Sequence, residues 1–214
     1  MRPIIIDIIP DDVDPNGVFE DQTLGGAGDF ILNGSGVVDG EWISPDGFAK
    51  KIGFESAGNI SGVNFTVNGF ADADRHVAIS ETLAGPNANT VQTTNYFYVI
   101  TSISADAAVG TNTEAGPVDE LTSPVIPLNW RGGITSVNID ITGTMDITIQ
   151  NTFDNIQDLN DLIFNWQDSP STRLVNATAS TNDAYEGVPR ALRAVINSYS
   201  SGATAQLVIQ ARDI

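Results

Sequence analysis

The stretch Ser136–Thr152, SVNIDITGTMDITIQNT, decides how the chain is read. Val137, Ile139 and Ile141 alternate with Asn138, Asp140 and Thr142. After Gly143, Met145, Ile147 and Ile149 alternate with Thr144, Asp146, Thr148 and Gln150. A two-residue period puts one face of a strand against a core and the other in water. Thr142-Gly143-Thr144 interrupts the period. Glycine accepts the backbone angles of a tight reversal, so a hairpin is predicted here. A one-residue slip in register would expose the isoleucines and bury the aspartates. Both strands therefore need a second apolar layer over them.

Working outward, the same pattern recurs. Arg190–Asn197 and Thr204–Arg212 flank Ser200-Ser201-Gly202 and predict a second hairpin, with Leu192, Ala194 and Ile196 on one face and Leu207 and Ile209 aligned opposite. Pro124–Trp130 reads as an edge strand, because its prolines cannot donate ladder hydrogen bonds. Upstream, Ala49–Phe54, Gly62–Gly69, His76–Leu83 and Thr90–Ser104 read as strands. Val63, Phe65 and Val67 share a face, as do Val77, Ile79 and Leu83, although Glu81 interrupts the second set. Thr90–Ser104 is long, β-branched and aromatic. Polar turns at Asp72–Arg75 and Gly85–Asn89 punctuate the series. Turns this close together, with no helical period between them, predict an all-β chain of two antiparallel β-sandwich or jelly-roll-like units.

Gly116, Pro117 and Pro124 mark a boundary, giving an N-terminal β domain over 46–118 and a C-terminal β-sandwich over 119–214. Residues 1–45 read as an extended N-terminal arm with acidic and glycine-rich loops. Within it, Ile4, Ile5 and Ile6 read equally well as a strand pairing with another subunit or as the first strand of the chain's own sheet. Residues 153–188 form a polar excursion around the short apolar run Leu162–Trp166.

The 214 residues carry 27 acidic and 9 basic side chains, a formal charge of −18. That field repels nucleic acid, so none is expected as a partner. The absence of cysteine excludes disulfides and thiolate metal sites. The opening MRPIIIDIIPDD is too short and interrupted for a signal peptide or membrane span, so synthesis in a host cytoplasm and no membrane are expected. Asn33, Asn59, Asn64 and Asn176 begin sequons that chance explains in an Asn- and Thr-rich chain.

No catalytic constellation is legible. His76 is the only histidine, and it supports neither a Ser-His-Asp arrangement nor a multi-histidine metal site. Asp72 and Asp74, and Asp11, Asp12 and Asp14, form acidic turns whose oxygens suit Ca²⁺, but the twelve-residue Ca²⁺ loop is missing. Solvated turn aspartates are the expectation, with no cofactor and no metal assigned. Asp154, Asp158 and Asp161 are spaced as one face of a helical turn, which also suits a helix dipole. Asp140 and Asp146 belong to solvated strand faces, so no glycosidase pair is assigned. Trp42, Trp130, Trp166, Tyr96, Tyr98, Tyr185 and Tyr199 are split between core packing, subunit contact and sugar stacking. Tyr96 and Tyr98 lie opposite Phe97 on one strand, which makes Tyr96–Tyr98, with Ile4–Ile6, the expected interface residues.

The run Phe65–Asp106 also resembles a β module of virion structural proteins from tailed bacteriophages. The matching positions are Phe65, Thr66, Gly69, Gly85-Pro86-Asn87, Thr90, Phe97 and Thr101-Ser102-Ile103. The second half is similar to such proteins at Ser123-Pro124, Pro127-Leu128, Thr142-Gly143-Thr144, Thr152-Phe153-Asp154, Arg190, Arg193, Asn197-Ser198, Ser201-Gly202 and Leu207–Gln210. The resemblance covers roughly residues 60–214 and leaves out the excursion and the acidic N-terminal segment. It implies a non-enzymatic particle component: a capsid decoration or cement protein, located in the virion, contacting the major capsid protein and self-associating as a homo-oligomer, by analogy a trimer. A tail- or fibre-associated receptor- or carbohydrate-binding module is the alternative, and a glycan-cleaving enzyme ranks last.

Overall fold

The structure, a computed structural model, describes residues 3–128, 134–156, 164–186 and 189–212. In chain order the strands are β1 (Ile4–Ile8), β2 (Phe19–Leu24), β3 (Gly28–Asp29), β4 (Val37–Val38), β5 (Glu41–Ile43), β6 (Ala49–Ser56), β7 (Asn64–Phe70), β8 (Ala78–Ala84) and β9 (Thr90–Gln92). They continue with β10 (Val99–Ala105), β11 (Val109–Thr122), β12 (Ile126–Pro127), β13 (Ile134–Thr142), β14 (Met145–Thr152), β15 (Gln167–Asp168), β16 (Thr181–Glu186), β17 (Ala191–Tyr199) and β18 (Thr204–Arg212). The expected all-β, antiparallel, sandwich-like architecture is what the chain adopts. Two compact units form, Val13–Val118 and Met1–Asp12 with Asp119–Ile214.

In the Val13–Val118 unit one sheet runs β4-β5-β10-β7-β8, with β3 on the side of β10. The facing strands run β9-β6-β11, with β2 also on β11. Alternation explains the core: Phe65, Val67 and Ile103 face inward and are buried, as are Ile52 and Phe54. Phe19, Phe30, Phe54 and Phe65 interlock, with Phe19 stacked on Phe30 at 4.5 Å and Phe30 edge-on to Phe65 at 5.5 Å. Offset and edge-on contacts suit the aromatic quadrupole. Trp42, one of the chain's three tryptophans, is also buried here.

The other unit holds a sheet ordered β1-β18-β13-β16. Its second layer is β15-β14-β17, with β12 and the Leu121–Thr122 end of β11 paired to β17. Val137, Ile139, Leu207 and Ile209 are buried in the first layer, and Met145, Ile147, Ile149 and Ile196 in the second. The burial expected of the organising stretch is met at these positions, whereas Ile141 is half-buried and Thr148, expected on the wet face, is buried; the connection is also different. β13 pairs with β18, and β14 with β17, so neither predicted hairpin forms. Gly143–Thr144 and Ser200–Ala203 each carry the chain from one layer to the other. The two arches lie together, and Ser200 N–H donates to the Thr144 carbonyl at 2.9 Å. Period-two alternation reports which side chains are buried; it does not report which backbone pairs with which. Gly143 has φ +85°, and a Cβ there would lie 3.1 Å from the Ala203 Cα and Cβ. Gly143→Ala is therefore expected to cost about 1–2 kcal/mol for the left-handed backbone alone, read as a lower urea midpoint.

The extended arm expected over 1–45 is corrected. β1 pairs along its length with β18, from Ile4 opposite Ile209 to Ile8 opposite Ala205. Ile8 is fully buried, and the Tyr199 hydroxyl donates to the Asp11 carbonyl at 2.6 Å. Of the two readings of Ile4–Ile6, the own-sheet strand is the one found. Val13 onward belongs to the other unit, where Val18 and Phe19 are fully buried. Apolar residues so close to the start are held because their burial outweighs the ordering cost. Within the polar excursion 153–188, Leu174 is buried and β16 closes one end of a sheet.

Candidate functional site

Among the described residues β1 stands at the end of its sheet, with β18 on one side only. Ile8 is buried, Ile4 and Ile6 are half-buried, and Ile5 is 56% exposed. Just beyond the strand, Ile9 is 62% exposed. Asp7 is the strand's one charge, and its carboxylate accepts from Gln206 Nε2 at 2.8 Å. Pro3 and Pro10 bracket the segment. The opposite edge, β16, carries Asn182 and Asp183 instead. An apolar edge strand is a template for an added strand, and charges usually blunt such edges. Each edge carries an aspartate, Asp7 or Asp183, and the two differ in the isoleucines that β1 presents.

The second expected interface, Tyr96–Tyr98, is built differently. Thr90–Ser104 is not one strand: β9 pairs with β6, β10 with β7, and residues 93–98 cross between them. The crossing is pinned by side chains. The Glu81 carboxylate accepts from Thr94 N–H at 2.7 Å and Asn95 N–H at 2.8 Å. Thr93 Oγ1 accepts from Ile52 N–H at 3.0 Å and donates to the Asn95 carbonyl at 2.9 Å. The glutamate that interrupted the apolar face of β8 is thus the clamp for this crossing. Phe97 is fully buried, so its side chain belongs to the core rather than to a contact surface. Tyr96 and Tyr98 are half-buried, and Lys51 Nζ lies 5.4 Å from the Tyr96 ring centre.

Trp166, the sugar-stacking candidate, sits against the outer face of β17. The Arg193 guanidinium lies 4.5 Å from its ring centre, and Phe164 meets it edge-on at 6.2 Å. Arg193 Nε donates to Gln150 Oε1 at 2.8 Å, and Gln150 Nε2 donates to Asp168 at 2.9 Å. Beside this chain a bulge at Asn197 turns its amide to Asp146 at 2.9 Å, Thr148 at 3.0 Å and Asn176 at 3.2 Å. Sequence reasoning missed this polar strip, since its members lie far apart in the chain. Trp130, Asp158 and Asp161 lie outside the described residues, as does the side chain of Tyr185.

The carboxylates sort into separate environments. Asp140 accepts from Ser180, and Asp154 from Asn165 N–H. Among the described residues one group of three metal-capable side chains converges: Asp72, Asp74 and His76. Asp11, Asp12 and Asp14 do not gather in this way; Asp14 instead accepts from Ser35 and, through its carbonyl, from Gly17 N–H.

Among the described residues four carboxyls have shifted acidities with identifiable causes; one is Glu41, which its hydrogen bond from Arg75 holds below the ordinary glutamate range. The Asn64 backbone N–H, then its side-chain amide, hold Asp106 below the ordinary aspartate range. The Ser171 hydroxyl, then Ala184 N–H, do the same for Asp183. Stability from these two is present above the ordinary aspartate pKa of about 3.9 and is lost as pH falls through their depressed values. Glu114 is raised by partial burial and then by Asp21, Glu55 and Asp14. Its contribution is full below the ordinary glutamate pKa of about 4.3 and is lost as pH rises through the raised value. Glu114→Gln should therefore raise the urea midpoint at neutral pH, with the gain shrinking towards pH 4 (about the ordinary glutamate pKa). An equal gain at both pH values would contradict this sign.

The chain matches no protein-family model and no curated protein.

Proposed function

We propose that this chain is a non-enzymatic structural component of a tailed-phage virion, a capsid decoration or cement protein that docks through the β1 edge. The observation that carries the docking surface is the apolar edge of β1, with Ile5 and Ile9 in solvent. The virion context rests on the resemblance over residues 60–214. A partner strand added to β1 would gain main-chain hydrogen bonds while covering Ile5. Specific interfaces bury about 1,200–2,000 Å² in total, so neighbouring surface must join the edge. The major capsid protein is the proposed partner, and self-association as a homo-oligomer, by analogy a trimer, is part of the same reading.

Deleting residues 1–18 is not a clean test, because it removes β1 and the buried Ile8 and Val18. The sharper variant is Ile5→Lys with Ile9→Lys, which adds charge at exposed positions and leaves the core intact. Co-sedimentation with undecorated particles should fall at least about tenfold, a loss of 1.4 kcal/mol, with an unchanged circular dichroism spectrum. Undiminished binding would reject the β1 edge. Light scattering of the isolated chain tests the oligomer.

The half-buried Trp166 beside Arg193, Gln150 and Asp168 favours a second reading, a carbohydrate-binding tail module. A glycan array would show a specific hit lost in Trp166→Ala, whereas the docking reading expects none.

A further inference from the structure

We propose that the turn Asp72–His76 is a binding site for a divalent transition metal, held by one imidazole and two carboxylates. Asp72, Asp74 and His76 each present a ligand atom, and these atoms all lie within 4.8 Å of one another. Ligands about 2.0–2.2 Å from one ion are at most about 4.4 Å apart, so small side-chain rotations suffice. Asp72 is already fixed: Oδ1 accepts from Val77 N–H at 2.8 Å and Oδ2 from His76 N–H at 3.1 Å. Each of its oxygens keeps a further lone pair. His76 Nδ1 stands 3.6 Å from Asp72 Oδ2.

The turn's only cation is directed elsewhere. Arg75, at φ +59°, forms a two-pronged pair with Glu41 on β5, and its guanidinium lies 5.8 Å from the Phe70 ring centre. The positive charge of Arg75 is thus engaged by a third carboxylate, that of Glu41. The formal charge of −18 adds a field that concentrates cations.

The donor set selects the metal class. Ca²⁺ and Mg²⁺ favour oxygen-only cages. An imidazole with carboxylates suits Zn²⁺, Ni²⁺ or Cu²⁺, water completing the shell at this exposed turn. The sequence contained all three side chains, but an isolated histidine beside a D-x-D turn did not indicate that its ring nitrogen comes within 4.8 Å of both carboxylates.

The test is calorimetric titration of the untagged full chain, stripped with chelator and dialysed, with Ni²⁺, Zn²⁺ and Ca²⁺ in turn. Ni²⁺ or Zn²⁺ should bind at one ion per chain, more tightly than Ca²⁺. His76→Ala and Asp74→Asn should each weaken that binding by at least about tenfold. Neither side chain holds the turn together, whereas Asp72 does, so these two variants keep the fold. In Cu²⁺-loaded protein, electron paramagnetic resonance should show coupling to one imidazole nitrogen, lost in His76→Ala. No saturable binding, binding that either variant leaves unchanged, or Ca²⁺ binding as tight as Ni²⁺ would overturn the assignment.

Discussion

Lys50→Ala should destabilise the Val13–Val118 unit by about 3–5 kcal/mol. Lys50 Nζ lies 2.6 Å from Asp46 Oδ2, and both side chains are 2% exposed. Asp46 Oδ1 also accepts from Ser44 Oγ at 3.0 Å and Phe48 N–H at 3.2 Å. Removing the ammonium leaves a carboxylate buried without its counter-ion, which is the costly half of breaking a buried pair. The lysine also fixes geometry, because its backbone exchanges hydrogen bonds of 2.8 Å with Phe97 in both directions. That link ties the start of β6 to the crossing segment 93–98. Replacing both partners with neutral groups, Lys50→Met with Asp46→Asn, should recover most of the loss, since no uncompensated charge remains. Urea unfolding followed by fluorescence of the buried Trp42 would measure each variant. A loss under about 1 kcal/mol for Lys50→Ala, the value of an exposed pair, would show that the pair is not buried in solution.

Gly69→Ala is the second large effect, expected at about 3 kcal/mol or more. Gly69 follows Phe65 and Val67 on the inward face of β7. A Cβ at Gly69 would lie inside the van der Waals radius of the Val99 carbonyl oxygen. The crowding comes from a bulge in β10. Ile100 pairs with Gly69 and Ser102 with Asn68, so Thr101 is the extra residue. Backbone cannot yield as a flexible side chain would, so the strands must separate or the bulge must move. Gly62, seven positions earlier, is the control: a Cβ there meets nothing within 4 Å. Gly62→Ala should stay within about 0.5 kcal/mol of the parent. Equal midpoints for the two variants would remove the bulge argument.

The β1 edge proposed for docking and the turn proposed for metal binding differ in how far the residues alone revealed them. Ile4–Ile6 stood out as an apolar run, and its surroundings decided its use: pairing with β18 made it the end strand of the chain's own sheet. Tyr96–Tyr98 stood out as aromatic, but the clamp from Glu81 bends that segment and buries Phe97. Lys50 and Lys51 are adjacent in sequence, yet one is sealed in with Asp46 and the other lies over the Tyr96 ring. For β1 and for Tyr96–Tyr98 the deciding partner is distant in sequence, and a local pattern carries no information about it; for Lys50 it is Asp46, four residues away.

Alternation along Ser136–Thr152, Gly62–Gly69 and the C-terminal strands determined by itself that the chain is β and most of the apolar side chains that enter its cores. That follows because burial of apolar area dominates folding and strand geometry turns it into a period of two. Only the tertiary structure decided that Gly143 and Ser200–Ala203 are arches between layers, that β1 joins β18, and that Asp72, Asp74 and His76 converge. Strand pairing is a choice among distant backbones with near-equivalent hydrogen bonds. It is settled by how whole faces pack, not by any one segment's composition.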